Sequence, residues 1–146
     1  MRSGILAFGL VVLSASTAAA ACPQDQELFL SCLIEDRQRA VLVCMNDAVV
    51  SYRYGPIGGE AELSLSREFG NGAQAFPWPG IGRTIWEGVQ LRNADVTYEI
   101  YGGFDRLRAV EEPDVDTRFG GIIVTQDGRG EIAHLRCRAG SVEYAF

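Results

Sequence analysis

The side chains of this sequence limit the chemistry it can perform, because it holds thirteen arginines, no lysine and a single histidine, His134. The absence of lysine excludes Schiff-base catalysis, the lysine of a phosphate-binding P-loop and a Ser–Lys pair. Strand alternation would place His134 on one face with Arg136 and Arg138, and no serine nucleophile motif accompanies it. We therefore predict a surface role for His134 rather than a catalytic one.

Carboxylates offer a second kind of chemistry, since the chain contains 19 of them. Glu87 and Glu99 flank a predicted hairpin centred on Ala94, so we expect them to be near neighbours across it. With Asp95, they are the candidate residues of a two-carboxylate glycosidase. The alternative is that both side chains point into water, which is the usual arrangement because facing like charges destabilise a sheet.

An acidic segment with arginines on both sides follows later in the chain. Its carboxylates are Glu111, Glu112, Asp114 and Asp116, and its flanking arginines are Arg106, Arg108 and Arg118. A calcium loop would need the order D-x-D-x-D-G, which is missing, so we predict local pairing with arginine or solvation. No C-x-x-C pair is present for zinc, and we predict no metal and no cofactor.

The stretch from Phe76 to Arg83, FPWPGIGR, is the most unusual of the chain. Its two prolines stiffen it and restrain the residue before each. Phe76 and Trp78 either plug the open end of a barrel, as large aromatic residues often do, or form a rigid recognition surface. In the second interpretation the binding residues are Phe76, Trp78, Arg83 and Trp86.

The elements that must position these residues are predicted to be strands. Period-two alternation, β-branched and aromatic residues, and turns about every 8–12 residues are typical of an all-β domain. We predict a disulfide-stapled antiparallel β-sandwich or small eight-stranded barrel. The strands are Leu28–Ile34, Ala40–Met45, Ala48–Tyr54, Ala61–Arg67, Trp86–Arg92, Val96–Ile100, Phe119–Gln126, Glu131–Arg138 and Val142–Ala145. Long loops are predicted over 70–84 and 103–118, and one helical turn over 107–112.

The first 21 residues have the order of a secretory signal peptide, with Arg2, an apolar run over Ile5–Leu13 and small residues over Ala18–Ala21. We therefore predict a signal peptide over 1–21 and a single β domain over 22–146, periplasmic or secreted, with no transmembrane segment. A lipid anchor at Cys22 is not expected, because Ala19 stands where a lipobox has Leu, Val or Ile. The mature chain would have 125 residues (146 less 21), with twelve arginines against 19 acidic residues, a formal charge of −7.

The four cysteines, Cys22, Cys32, Cys44 and Cys137, predict two disulfides in an exported chain. The preferred pairing joins Cys32 to Cys44 across the first hairpin and leaves Cys22 with Cys137. The alternative joins Cys32 to Cys137 and ties the first strand to a late one. Both alternatives remain open at the level of the sequence.

Several short stretches are similar to those of a group of small exported proteobacterial β-proteins. They are Phe29–Cys32, Val43–Cys44, Tyr52–Gly55, Glu62–Leu63, Gly82–Glu87, Tyr98–Tyr101, Gly120–Val124 and Leu135–Cys137. This resemblance implies a fold but transfers no activity. The architecture also resembles that of periplasmic lysozyme inhibitors, although the S-G-x-x-Y motif of one branch is missing, so no inhibitory loop is assigned.

These observations predict a non-catalytic binding or inhibitor-like module. Its acidic balance, with a pI near 4.8, disfavours nucleic acid and favours a basic protein partner in the cell envelope, such as a lysozyme-like enzyme. The alternatives are a carboxylate-dependent hydrolase of envelope polymers and a structural protein of the envelope.

Overall fold

The computed structural model describes residues 21–145, so nearly all of the predicted signal peptide lies outside the described residues. Within these residues the chain forms ten strands and one short helix. They are β1 (Glu27–Leu33), β2 (Arg39–Met45), β3 (Val49–Pro56), β4 (Leu63–Phe69), β5 (Gly72–Phe76), β6 (Thr84–Asn93), β7 (Val96–Asp105), α1 (Arg106–Glu111), β8 (Arg118–Gln126), β9 (Gly130–Arg136) and β10 (Glu143–Tyr144). Within the described part of the chain, no helix is long and apolar enough to cross a membrane.

All ten strands belong to one sheet in the order β10-β1-β2-β3-β4-β5-β6-β7-β8-β9, which curls into a half-barrel. Neighbouring strands are antiparallel except for a two-residue parallel contact between β4 and β5. The predicted all-β, disulfide-stapled class is confirmed. The sheet is closer to the predicted barrel than to a sandwich. It has ten strands, more than the eight of the predicted barrel, because β5 joins the nine segments predicted as strands.

The two ends of the sheet meet where β1 and β9 finish. Ile34, directly after β1, forms an antiparallel bridge with Cys137, directly after β9. Two backbone hydrogen bonds support the bridge, from Glu35 N to Arg136 O at 2.8 Å and from Arg138 N to Leu33 O at 2.7 Å. These bonds satisfy backbone groups that an open sheet edge would leave exposed.

The disulfides join Cys22 to Cys44 and Cys32 to Cys137, so the preferred pairing from sequence is wrong and the alternative is confirmed. The register of the first hairpin explains the error, because Cys32 lies opposite Val41, three residues before Cys44. Side chains alternate between the two faces of a strand, so Cys32 and Cys44 lie on opposite faces. Cys32 points into the barrel, while Cys44 is covered from outside by the N-terminal segment.

The core lies inside the half-barrel and consists of the alternate residues of each strand. Fully buried members include Leu30, Val43, Leu91, Ile100 and Ile122. Each such aliphatic side chain contributes about 1.5–3 kcal/mol when it leaves water. The alternation that predicted the strands is therefore the pattern that fills the core.

Both predicted long loops are shorter than expected. The first contains β5, which leaves only residues 77–83 as a loop, named here the tryptophan loop. In the second, β7 continues to Asp105 and the single helical turn predicted there is confirmed as α1. Residues 105–117, named here the acidic excursion, are closed at the base by a hydrogen bond from Asp105 N to Thr117 O at 3.1 Å.

Candidate functional site

Trp78 lies half-buried in the tryptophan loop, so it is neither a core plug nor a fully presented ring. Its indole Nε1 donates a hydrogen bond to Ile81 O at 3.1 Å, which closes the loop on itself. The guanidinium of Arg106 lies 5.9 Å from the centroid of the Trp78 ring, within the range of a cation–π contact. The ring is thus held between its own loop and the start of α1.

Arg83 fastens the tryptophan loop to the acidic excursion through an ion pair between its Nε and Asp105 Oδ2 at 2.5 Å. Asp105 is also the N-cap of α1, accepting from Leu107 N at 3.1 Å and Arg108 N at 3.0 Å. These hydrogen bonds, led by that from Arg108 N and reinforced by Arg83, hold the pKa of the Asp105 carboxyl below its usual value. One carboxylate therefore organises both segments.

Only some of the carboxylates in the acidic excursion form ion pairs with arginine. Arg108 Nε contacts Glu112 Oε1 at 3.0 Å, and Arg118 Nε contacts Asp116 Oδ1 at 2.8 Å, as predicted from the sequence. Glu111 and Asp114 have no ion-pair partner within residues 21–145 and remain exposed. No group of metal-ligating side chains is found among the described residues.

The tryptophan loop and the acidic excursion, which Arg83 joins, carry most of the exposed large apolar side chains of residues 21–145. Four of the six large hydrophobic residues exposed in the described chain lie in the tryptophan loop and the acidic excursion. Ile81 is 77% and Val110 is 81% exposed. We name Trp78, Ile81, Leu107, Val110 and Val115 the apolar patch. Clustered exposure of this kind marks interaction surfaces more often than chance does.

Phe76 and Trp86, the other two predicted binding residues, are separated from the apolar patch by their position on strands. Both lie half-buried on the outer face of the sheet, Phe76 at the end of β5 and Trp86 in β6. Tyr101 and Phe119 lie on the same face, with their ring centroids 6.4 Å apart. These four residues form what we name the aromatic face.

His134 is exposed beside the aromatic face, where its Nε2 lies 2.9 Å from the Tyr101 hydroxyl. Burial raises the pKa of Tyr101, and the charge of Arg136 acts in the opposite direction. None of the hydrogen bonds within residues 21–145 joins the imidazole to a serine. The contact is therefore one between surface side chains, as expected from the position of His134 on a strand.

The predicted pair of Glu87 and Glu99 is not formed, because the β6–β7 turn has two residues and sets a different register. Glu87 lies opposite Gly102, and Glu99 lies opposite Gln90, three residues away along β7. An odd separation puts the two carboxylates on opposite faces of the sheet. Glu87 points inward and accepts a hydrogen bond from the Tyr144 hydroxyl at 3.1 Å.

Asp95, the third carboxylate of the predicted hydrolase, lies in the β6–β7 turn. It accepts a hydrogen bond from Gln126 Nε2 at 2.8 Å, which is the main reason that its pKa is lowered. Its position at the far end of β6 from Glu87 leaves no shared site for the three carboxylates.

Sequence reasoning missed Tyr101, Phe119 and the exposed residues of α1. Tyr101 and Phe119 are each followed by a glycine pair, 102–103 and 120–121. Each aromatic residue lies opposite the second glycine of the other pair, which leaves space for its ring. That signal depends on register, which the sequence alone left uncertain. A comparison with protein-family models, with curated proteins and with solved structures finds no match for this chain.

Proposed function

We propose that this protein is an exported, non-catalytic binding module that uses the apolar patch to recognise a basic protein of the cell envelope, such as a lysozyme-like enzyme. The observation that carries the proposal is the exposure of Ile81 and Val110 in two segments that the Arg83–Asp105 ion pair joins. The second of these segments also carries Glu111 and Asp114, which have no ion-pair partner within residues 21–145. An apolar centre bordered by charge is the anatomy of a protein interface.

The rigidity of the apolar patch supports the same proposal. The Arg83–Asp105 ion pair and the Trp78–Ile81 hydrogen bond hold the two segments in place before any partner arrives. Preorganised segments lose less conformational entropy on binding, so more of the contact energy becomes affinity.

The sign of the charge supports a basic partner. Within 105–118, five carboxylates stand against three arginines, and the whole chain has a formal charge of −6. Complementary charge at the rim of an interface increases the association rate and its dependence on salt. An acidic protein would be repelled by the same groups.

The covalent structure supports the proposed compartment. Two disulfides and the absence of a membrane-spanning helix from residues 21–145 are compatible with an oxidising location outside the cytoplasm. The order of residues 1–21 favours the periplasm or secretion, as argued from the sequence. A hydrolase is not proposed, because Glu87, Glu99 and Asp95 do not converge.

The proposal is tested by titrating a basic lysozyme with the full chain and measuring the dissociation constant at low salt. The Ile81→Ala/Val110→Ala variant is expected to bind about tenfold or more weakly, since truncating two central apolar contacts costs more than about 1.4 kcal/mol. The Glu111→Gln/Asp114→Asn variant is expected mainly to slow association.

A matched control removes the same charge far from the apolar patch. Asp47→Asn/Glu68→Gln changes two exposed carboxylates, and Glu68 lies beside Arg67, which donates to Asn93 at the far end of β6. The proposal expects this control to bind like the unmodified protein. Equal weakening by both charge variants, or no lysozyme binding at all, would contradict it.

A further inference from the structure

The outer face of β5–β9 carries a second arrangement that the apolar patch does not explain. Strand pairing sets its side chains in rows that run across the strands. One row contains Phe76, Gly88, Tyr101, Gly121 and Arg136. A second contains Gln74, Gln90, Glu99, Ile123 and His134. A third contains Trp86, Gly103 and Phe119. Adjacent strands lie about 4.8 Å apart, so neighbours within a row are in reach of one ligand.

Glycines clear the space between the aromatic rings. A Cβ on Gly121 would lie 2.5 Å from the Tyr101 hydroxyl oxygen, so that ring extends over the bare backbone of β8. A Cβ on Gly103 would lie 2.7 Å from Trp86 Cβ. Gly88 lies between Phe76 and Tyr101, whose Cβ atoms would be 3.8 and 3.9 Å from an added Cβ. The result is a shallow surface of aromatic rings with no aliphatic side chain between them.

The part of the second row that lies on β5–β7 is polar. Gln74, Gln90 and Glu99 are direct neighbours across three strands, and none makes a side-chain hydrogen bond within residues 21–145. Glutamine offers both donors and acceptors, and glutamate offers acceptors. Side chains of this kind next to an aromatic surface can bind a ligand that has an apolar face and hydroxyl edges.

We propose that the aromatic face and the row of Gln74, Gln90 and Glu99 bind a neutral polysaccharide chain. The face of an aromatic ring is electronegative and attracts the C–H bonds that cover one side of a pyranose ring. The amides and the carboxylate would then bind its hydroxyls. Charge agrees with a neutral ligand, because the three rows contain one carboxylate, Glu99, and one arginine, Arg136.

This site uses other residues than the proposed protein interface, and each of the two surfaces contains one of the two tryptophans of the chain. Trp78 lies in the apolar patch and Trp86 lies in the aromatic face. A Trp78→Phe variant leaves Trp86 as the only indole, so its fluorescence reports directly on the aromatic face. The probes are soluble β-linked hexasaccharides of glucose and of N-acetylglucosamine, titrated into the full chain.

The expected result is saturable quenching or a blue shift of Trp86 emission with at least one hexasaccharide. Trp86→Ala should weaken binding, measured by calorimetry, about tenfold or more, while Trp86→Phe restores most of it. Gln90→Ala/Glu99→Ala should weaken binding several-fold with the midpoint of thermal unfolding preserved. Trp78→Ala should leave sugar binding unchanged and weaken lysozyme binding.

Three results would overturn the proposal. The first is that neither hexasaccharide binds at millimolar concentration. The second is that Trp86→Ala binds as tightly as the unmodified protein. The third is that Trp86→Ala impairs lysozyme binding while no sugar binds, which would assign the aromatic face to a protein partner. Loss of lysozyme binding with sugar binding intact would contradict only the function proposed for the apolar patch.

Discussion

Glycine has a different role on the inner and on the outer face of β6–β8. Both faces have glycines where a neighbouring side chain occupies the space that a Cβ would fill. On the inner face, Gly102 admits the ring of Tyr144 and Gly120 admits Leu30 and Cys137. On the outer face, Gly121 admits the ring of Tyr101. The ring of Tyr144 packs against the core, while the outer rings stay half-exposed.

The comparison shows that the effect of a strand glycine depends on the side chain that packs over it. Glycine weakens a strand because it contributes no packing of its own. Inside, that loss is offset by the side chains that close the half-barrel. Outside, the four rings of the aromatic face stay half-exposed, as the proposed sugar site requires.

The largest expected difference between the two faces lies in the disulfides. Cys32–Cys137 is on the inner side and closes 105 residues, whereas Cys22–Cys44 lies outside and closes 22. Loop entropy predicts a loss of about 4–5 kcal/mol for Cys32→Ser/Cys137→Ser and about 3 kcal/mol for Cys22→Ser/Cys44→Ser. Urea unfolding measures both, and a larger loss for the outer disulfide would reverse the comparison.

Gly102→Ala should have the next largest effect. The added Cβ would lie 2.6 Å from Tyr144 Cδ2, and the nearest atoms all belong to that ring. Overpacking of this kind costs about 1–3 kcal/mol. The same substitution in a Tyr144→Ala background should cost much less, because the clashing ring is gone. Equal costs in both backgrounds would show that Tyr144 does not occupy the space above Gly102.

Alkaline pH offers a smaller test of the inner face. Burial, reinforced by the charge of Glu87, raises the pKa of Tyr144, so the folded protein holds the phenolic proton more tightly than the unfolded chain. Stability is therefore fully present below about pH 10 and falls as the pH rises above it. Tyr144→Phe should lose less stability than the unmodified protein between pH 8 and 11 in urea unfolding. Some loss should remain, since burial also raises the pKa of Tyr52.

Tyr101→Phe should have the smallest effect. It removes the contact with His134 at 2.9 Å but keeps the ring over Gly121. A hydrogen bond between exposed groups contributes about 0.5–1.5 kcal/mol at most. We expect a change in the unfolding free energy at the low end of that range. A loss as large as that of Gly102→Ala would mean that the outer face also stabilises the fold.

The sequence predicted the fold more fully than the site. Alternation identified most strands, including β2 and β8, because the buried face follows from the period of two. It missed β5, where glycine, alanine and glutamine over 72–76 carry little strand signal. It placed Glu87 and Glu99 as near neighbours across the β6–β7 hairpin, but a shift of the register by one residue moves the facing side chains to opposite faces of the sheet.

Four neighbours in sequence, Phe76, Trp78, Arg83 and Trp86, were predicted as one binding group. The structure divides them between two surfaces, because the first and last are on strands and the middle two are in a loop. The residues that complete each surface, Tyr101 on one side and Arg106 against Trp78 on the other, come from later in the chain. Contacts between distant segments of this kind depend on the fold and not on local pattern.

The disulfide connectivity has a consequence for how the chain matures. Synthesis delivers the N-terminus first, so Cys22, Cys32 and Cys44 emerge well before Cys137. Cys22 and Cys44 can pair as soon as β2 is out, but Cys32 must stay reduced until nearly the whole chain has followed. Any early bond between Cys32 and a near neighbour has to be exchanged later through a mixed disulfide. Correct maturation therefore requires that the Cys32 thiol is free when Cys137 appears. Disulfide isomerases catalyse the exchange that frees it.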